Sequence, residues 1–478
     1  MTADAAGALL PAARRPRQDG RAAGSAADGW RGALRGAVRR SGPVLPAVAV
    51  VALVAVPAAP AGDGSAGTGS VADAASALLV AYCLVRLARE RARPLTRTAA
   101  LVLGLPVLGV TVAALTSGDA PAALPGVARY LQIFVLVPAA LLLLIRDRRD
   151  FRLVAGAVVA LALVEGSIGV TQYLTGTGAS YMGENIRAVG TFGPTDVMGM
   201  ATVVAYGLVI CVGYALAPVR KPGPRRRTVA LVGAGLLLVP LALSFSRGAW
   251  IATGVALLLQ LIVSGVRRAA VVVLAAGALG VVLVGGLGIG SQMISERLSS
   301  ITRVTDAPDQ SVADRYTMWA AATDMWRERP VTGVGLKGFP AHRDSHASLG
   351  LSSGSDTAGA GLGFQRQPLL SPHNMYLLVL SEQGLLGIMA LAGSWAALLV
   401  LALRRLPRYG RGGGGCALVV TGLLVWQFVD FGYADIGGPS TVLTAVMFGL
   451  AAWWALSPDH GRPDPARNRE TGSGAAAA

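Results

Sequence analysis

The stretch LVAGAVVALALVEGSIGVTQYL at residues 153–174 decides the fold class, because its 22 residues contain a single charged side chain, Glu165. About 20 consecutive apolar residues are enough to cross the hydrocarbon core of a bilayer as a helix. Similar runs recur along the chain, and charged residues make up only 14% of it, against about 25% in soluble proteins. Continuous apolar blocks favour helices over the alternating segments of a β-barrel. The sequence therefore predicts a polytopic α-helical membrane protein and excludes a soluble one.

Further apolar runs predict about 12 transmembrane helices joined by short connections and one long loop. The predicted spans cover residues 43–61, 71–87, 98–116, 124–145, 153–174, 197–217, 229–245, 248–265, 269–290, 384–403, 415–431 and 438–456. The chain accordingly divides into a disordered basic tail at 1–42, nine spans at 43–290, an extracytoplasmic loop region at 291–383, three spans at 384–456 and a disordered tail at 457–478. The predicted class is all-α, with short helices inside the large loop.

The chain has a net charge of +16, and the positions of its basic residues predict its orientation in the membrane. The two termini and the loops on their side carry 31 of the 42 Lys and Arg residues, whereas the short loops opposite hold only Arg187 and Arg247. Because Lys and Arg concentrate on the cytoplasmic side, both termini of this multi-pass protein of the cell membrane are predicted to be cytoplasmic. The charge therefore does not indicate a nucleic acid partner. The three cysteines lie in apolar runs, which argues against disulfides or a Cys-based metal site.

The long outer loop, residues 291–375, contains eight basic and eight acidic residues, so its cations do not serve to orient the protein. Loops of this length are usually functional or disordered. A helix is predicted over 311–329 and ends at Pro330. One face of that helix carries, at helical spacing, Arg315, Trp319, Ala322 and Trp326. Two interpretations stay open: a helix on the membrane interface with tryptophan anchors, or one that points Arg315 into a cleft.

Two other segments of the loop lack a helical pattern. GVGLKG at 333–338 has the spacing of a dinucleotide motif, but no strand precedes it and no βαβ unit follows, so a glycine turn that closes the helix is the better interpretation. Residues 344–364 are rich in Ser, Gly and Asp and are predicted to be mobile. They are either a linker or a segment that orders over a bound substrate.

The predicted outer edge also gathers Arg187, Arg247, Arg315 and one histidine, His373, near the start of a helix signalled by Ser371 and Pro372. Membrane arginines can reach lipid headgroups, and a lone interfacial histidine is more often structural. Planar guanidinium groups, however, bind phosphate oxygens bidentately. The pattern therefore fits an anionic lipid headgroup, such as a lipid-linked diphosphate, held beside a titratable base. Paired carboxylates and an Asp-rich metal motif are not expected there; the nearest single acids are Glu184, Asp196 and Glu382.

The motifs along residues 100–403 resemble the O-antigen ligase and polymerase superfamily of bacterial envelope glycosyltransferases. The resemblance rests on RAVGTFGPTD at 187–196, SRG at 246–248, DRYTMW at 314–319, RPVTGVGLKGF at 329–339, and HNMY with EQGLLG between 373 and 387. The sequence departs from the family pattern in GPTD at 193–196, where Asn is common, and in the Ser/Gly-rich 344–364.

The resemblance implies transfer of a glycan from an undecaprenyl diphosphate carrier to a glycan or other envelope acceptor, within the membrane lipids and without nucleotide sugar, cofactor or metal. It implies that Arg247 and Arg315 act in catalysis with His373, which assists the acceptor hydroxyl or helps to hold the donor. The substrate-binding residues that we expect from it and from the helix positions are Arg187, Asn374, Tyr376 and Trp319.

Ligase, polymerase and protein O-oligosaccharyltransferase share these motifs, so the sequence does not choose among them. Two non-enzymatic hypotheses stay open. A transporter or flippase predicts ionisable residues at mid-membrane, for which Arg129 and Glu165 are the nearest cases. A non-catalytic partner in polysaccharide export would tolerate replacement of His373 by alanine.

Overall fold

The computed structural model describes residues 42–57, 70–90, 95–181, 184–193, 196–217, 224–267, 270–271, 310–348, 351–352, 355–359, 362–367, 369–406, 414–438 and 440–458. Helices dominate this part of the chain. They are Leu45–Leu53 (α1), Val71–Glu90 (α2), Arg97–Leu115 (α3), Ala120–Leu144 (α4, with a π-helical turn at Gln132–Leu136), Arg148–Thr175 (α5), Gly199–Leu216 (α6), Pro224–Leu243 (α7), Arg247–Ser264 (α8), Gln310–Glu328 (α9), Phe339–His346 (α10), Met375–Arg404 (α11), Gly414–Asp430 (α12) and Thr441–Leu456 (α13).

The predicted all-α polytopic class is confirmed, since eight of the described helices, α2 to α8 and α11, are long and apolar enough to cross a bilayer. Shorter apolar helices, α1, α12 and α13, match three further predicted spans. The predicted span 269–290 lies outside the described residues except for 270–271, as do residues 1–41 and 459–478 of the tails. Two predicted boundaries were wrong: α1 ends at Leu53 rather than 61, and α11 begins at Met375 rather than 384.

The bundle is organised around α6 and α13, whose residues are almost all buried. Long helices begin and end at recognisable capping residues. Asp147 caps the start of α5 by accepting hydrogen bonds from two backbone N–H groups, and Gly176 ends that helix in the left-handed conformation. A second, smaller apolar core lies between α9, α10 and the first turns of α11, and it fixes the outer-loop helices against the bundle. Its buried members are Met318, Ala321, Ala322, Met325, Val334, Phe339, Leu369 and Leu378.

A small antiparallel sheet joins two distant parts of the chain. Its strands are Ala179–Tyr181 (β1), Glu184–Arg187 (β2), Ser355–Gly359 (β3) and Leu362–Gln367 (β4), in the order β2-β1-β3-β4. Ala179 of β1 pairs with Arg187 on one side and with Gly359 on the other. Part of the segment 344–364, which the sequence predicts to be mobile, therefore forms strands: β3 pairs with β4 and with the connection that follows α5.

Helix α11 is broken at Gly384, which has φ 63° and ψ −162°. The segment 330–336 fills this break, so the glycine turn predicted at 333–338 does more than end α9. Backbone groups on both sides of the break bond to the segment: Leu385 N–H to Pro330 O (2.9 Å), Leu386 N–H to Val331 O (3.2 Å), Val334 N–H to Ser381 O (2.8 Å) and Gly335 N–H to Glu382 O (3.1 Å). Residue 384, where the last three predicted spans begin, therefore lies at the kink within α11.

Replacing Gly384 by alanine is expected to destabilise the protein by about 1–3 kcal/mol, because a β-carbon there would be strained by the positive φ. That carbon would also lie 2.4 Å from the carbonyl carbon and oxygen of Val331. The matched control is Gly393→Ala in the same helix, where the nearest atom would be Leu105 Cδ1 at 3.9 Å. Thermal unfolding in detergent should show a lower Tm for the first variant alone. Equal Tm values for the two variants would contradict this account of the break.

Candidate active site

His373 lies directly before α11 in a left-handed backbone conformation, with φ 48°. The next two residues hold it there. Asn374 caps the helix, since its Oδ1 accepts from Leu377 N–H at 3.1 Å while its Nδ2 donates to Gly432 O at 3.1 Å. The Met375 N–H bonds to the carbonyls of Phe431 (2.8 Å) and Ala434 (3.0 Å). The start of α11 is thus attached to the connection between α12 and α13, which we call loop 431–440.

Helix α9 lies on another side of His373. The indole N–H of Trp319 donates to the carbonyl of Pro372 at 2.8 Å, directly before His373. Arg315, one helical turn earlier, is close enough for its charge to act on the His373 imidazole. Of the predicted face, only Ala322 is fully buried, while Arg315, Trp319 and Trp326 are half-buried beside the α9 core. Helix α9 therefore places the charge of Arg315 near the imidazole of His373.

Two carboxylates that were not among the predicted single acids, Asp430 and Asp435, also lie near His373 and Arg315. The carboxylate of Asp435, in loop 431–440, acts electrostatically on both His373 and Asp430 at the end of α12. Arg315 also acts on Asp430, which is 5% exposed. One oxygen of each acid, Asp430 Oδ1 and Asp435 Oδ2, is buried without a hydrogen-bond partner among the described residues. The histidine therefore faces a cation from α9 and an acid from loop 431–440.

The pKa of His373 lies below its usual value. Burial is the main cause, the charge of Arg315 acts in the same direction, and the carboxylate of Asp435 opposes both. Because the neutral imidazole has an unprotonated ring nitrogen, the histidine can accept a proton at neutral pH. Burial is thus the main reason why the imidazole at this position is available as a proton acceptor.

Arg187 and Arg247 lie together at the junction of α7 and α8. Arg187 Nε donates to the carbonyl of Ser244 at 3.0 Å, after the end of α7. Ser246, which caps the start of α8, contacts Met198 Sδ through its Oγ at 3.3 Å, and Arg187 Nη2 reaches the same sulfur at 4.0 Å. Since Arg247 is the first residue of α8, the two arginines occupy neighbouring positions.

The segment that carries Arg187 is held by polar side chains of α5. Gln172 accepts hydrogen bonds from the N–H groups of Val189 (3.0 Å) and Gly190 (2.9 Å). Buried Glu165 accepts from the N–H and the hydroxyl of Thr191, both at 2.8 Å. Glu165, the charged residue in the span 153–174, therefore supports the 187–192 backbone.

Loop 431–440 connects the two groups of cations. A β-carbon at Gly248, next to Arg247, would lie 3.2 Å from Tyr433 Cβ, while Gly432 and Ala434 bond to the start of α11. The structure therefore brings Arg187, Arg247, Arg315, Trp319 and His373 to one end of the bundle, around this loop.

Two of the predicted substrate-binding residues, Tyr376 and Asn374, make hydrogen bonds within the protein. Tyr376 turns inward: its hydroxyl donates to Phe428 O at 2.7 Å, and its ring packs against Trp395 and Phe431. Asn374 uses its amide for the cap and for Gly432. Glu382, one of the single acids predicted near the outer edge, accepts a hydrogen bond at 3.3 Å from the N–H of Phe339, the first residue of α10. Within the described ranges, no group of three or more His, Cys, Asp or Glu side chains is arranged to hold a metal ion.

The sequence comparison agrees with the motifs. Residues 232–392 match the family model Wzy_C, described as O-antigen ligase, so the resemblance to the O-antigen ligase and polymerase superfamily is confirmed. Among curated proteins no match was found. The matched stretch contains Arg247, Arg315 and His373, whereas Arg187 and the acids of loop 431–440 lie outside it.

Proposed function

We propose that this multi-pass membrane protein, whose residues 232–392 match the O-antigen ligase family, transfers glycan from an undecaprenyl diphosphate-linked donor to a glycan or other envelope acceptor. The reaction takes place on the extracytoplasmic face, needs no metal and inverts the anomeric centre. The observation that carries the proposal is that His373 lies within electrostatic reach of Arg315 and Asp435, where α9 and loop 431–440 both bond to the backbone beside it, at one end of a bundle of apolar helices. A lipid-linked donor would lie along those helices with its phosphates at the cations.

The chemistry follows from these groups. An acceptor hydroxyl attacks the anomeric carbon of the donor sugar and gives its proton to the neutral His373 imidazole. The new glycosidic C–O bond forms as the bond from the anomeric carbon to the diphosphate breaks, and the lipid diphosphate leaves with the electron pair. A single displacement of this kind inverts the centre. The growing charge on the leaving phosphates is stabilised by fixed guanidinium groups, for which Arg247 and Arg315 are the candidates and Arg187 the additional donor-binding residue.

Asp435 has a supporting role in this proposal. When His373 takes the acceptor proton it becomes an imidazolium, and the nearby Asp435 carboxylate stabilises that charge. The Asp435 carboxylate also opposes the effect of Arg315, whose positive charge lowers the pKa of His373. Asp435 thus sets how readily the base can accept a proton beside cations that the donor requires.

The Asp435→Asn variant gives a prediction about pH. Because the carboxylate raises the pKa of His373, its loss should lower that pKa further. The neutral base then persists to lower pH, so the acid limb of the rate profile should move to lower pH while the maximal rate falls. Transfer rates in vesicles over a pH series measure this. Asp344→Asn is the control, because Asp344 is an exposed acid of α10 that pairs with Arg343 and lies outside loop 431–440. An acid limb that stays in place or moves to higher pH would contradict the role of Asp435.

The experiment that tests the function uses the purified protein in vesicles with an undecaprenyl diphosphate-linked glycan and a glycan acceptor. Mass spectrometry should detect the lengthened acceptor and free undecaprenyl diphosphate, with and without a metal chelator, and the product linkage reports inversion. Movement of the donor across the bilayer with no diphosphate released would instead indicate a flippase. In a deletion strain, accumulated single repeat units would indicate a polymerase, and long chains left on the lipid carrier a ligase.

A further inference from the structure

Arg129 is a charged residue within an apolar span, and the reaction proposed above does not use it. A cation in the hydrocarbon region is costly and needs a partner. Its Nη1 forms an ion pair with Asp73 at the start of α2, and its Nη2 donates to the carbonyl of Gly438 at 2.8 Å. One guanidinium therefore joins α4, α2 and loop 431–440.

The partners of Asp73 fix the direction of this guanidinium. Gln132, one turn after Arg129, donates from its Nε2 to Asp73 Oδ1 at 3.0 Å and to Ser76 Oγ at 2.7 Å. The other carboxylate oxygen accepts from the N–H and the hydroxyl of Ser70 at 2.9 and 2.8 Å. Since both oxygens of Asp73 are engaged, the acid cannot turn without breaking several bonds, and the planar fork of Arg129 keeps its second edge on Gly438.

The same glycine contacts the end of the Arg187 motif. Gly438 has φ 71°, and a β-carbon there would lie 2.4 Å from Asp196 Oδ2, which also accepts from Ser440 N–H at 3.4 Å. Burial raises the pKa of Asp196 to about 6, while Ser440 and the charge of Arg129 act in the opposite direction. At neutral pH the acid is therefore ionised and attracted to the guanidinium. Arg129 thus acts on both loops that border the site.

The path from Arg129 to the start of α11 runs along loop 431–440. Gly438, which Arg129 holds, lies three residues after Asp435. Ala434, directly before Asp435, accepts a hydrogen bond from the N–H of Met375 at 3.0 Å, two residues after His373. The bond from Arg129 therefore restrains the segment that carries Asp435 next to His373.

We propose, building on the transfer function above, that Arg129 is a positioning residue: through Asp73 and the Gly438 carbonyl it holds loop 431–440 so that Asp435 stays beside His373. It contacts neither the donor nor the acceptor. Its loss should act through the loop, so variants of Arg129 and of Asp73 should share one phenotype with variants of Asp435.

The first test measures the loop directly and needs no activity. Hydrogen exchange of the full-length protein in lipid nanodiscs is compared for wild type, Arg129→Gln, Arg129→Lys and Asp73→Asn. Exchange in loop 431–440 should become about tenfold faster or more in the Gln and Asn variants, and less so in the Lys variant, which keeps the charge. The matched control is Arg146→Gln, which removes an Arg–Asp pair with Asp150 (3.1 Å) at the opposite end of α4. Unchanged exchange in folded Arg129→Gln and Asp73→Asn would overturn the proposal.

The second test asks whether Arg129 affects the transfer rate by positioning Asp435. Arg129→Gln should lower kcat by up to about 10²-fold, leave the KM for the donor nearly unchanged and move the acid limb to lower pH, as Asp435→Asn does. In the Asp435→Asn background, Arg129→Gln should add no further shift. A second, additive shift, or a raised donor KM with an unmoved acid limb, would overturn the positioning role. If wild type transfers no glycan, the proposed function fails, and the exchange measurement still decides on Arg129.

Discussion

Replacing His373 by alanine is expected to lower glycan transfer by about 10²–10⁴-fold, the usual contribution of a general base. The acceptor hydroxyl would then have no group to take its proton, while Arg247 and Arg315 could still bind the donor. We therefore expect kcat to fall and the KM for the lipid-linked donor to change little. The measurement is transfer kinetics in vesicles at several donor concentrations, with the folded state of each variant checked by size-exclusion chromatography.

Two controls separate catalysis from structure. His373 has a positive φ of 48°, which asparagine tolerates better than alanine, so His373→Asn removes the base with less backbone strain and should be as inactive as the alanine variant. His342→Ala and His346→Ala remove histidines of α10, which bond to Gly338 O and to Glu328, and should stay near wild-type activity. Substantial transfer by His373→Asn, or an equal loss in the α10 variants, would contradict the assignment. A non-catalytic export partner predicts instead that neither the wild type nor His373→Asn transfers glycan in vesicles.

The sequence alone predicted most of the spans among the described residues and located the charged candidates. Apolar runs such as 153–174 need no tertiary information, because the bilayer requires a helix of about this length. Arg187 and Arg247 could be selected because they stand against the positive-inside trend, and His373 because it precedes a helix start. These are local signals, and the structure brings the three residues to the same end of the bundle.

Other features depend on contacts between residues far apart in the sequence. Asp430 ends an apolar run and Asp435 follows in a short polar loop, so neither stood out until the loop was seen beside His373. Tyr376 was predicted to bind substrate because it lies in the first turn of a helix at the outer edge; in the structure its ring packs against Trp395. The pairing of β1 with β3, and the filling of the α11 break by 330–336, likewise follow from tertiary packing. A Gly-rich sequence permits such close contacts, but the local sequence does not show which segments will meet.

Replacing Arg315 or Arg247 by lysine is expected to lower transfer by about 10²–10³-fold, comparable to the loss of one donor that stabilises a transition-state charge. The charge is kept in both variants. Lysine, however, is a point charge that cannot bind two phosphate oxygens through a planar fork. Because the leaving diphosphate gains charge as the sugar bond breaks, the loss should appear in kcat. Arg327→Lys is the matched control, since that arginine lies on the same helix as Arg315, is 70% exposed and pairs with Asp324.

The lysine variants also distinguish how each arginine acts. Arg315 is close enough to lower the pKa of His373, so a lysine that keeps the charge nearby should leave the acid limb of the rate profile almost in place while the rate falls. Arg315→Gln should remove that charge and move the acid limb to higher pH. Full activity of both lysine variants would mean that positive charge alone suffices, and the bidentate phosphate contact would have to be dropped from the mechanism. If the acid limb of Arg315→Lys moved to higher pH, the lysine charge would no longer lower the pKa of His373.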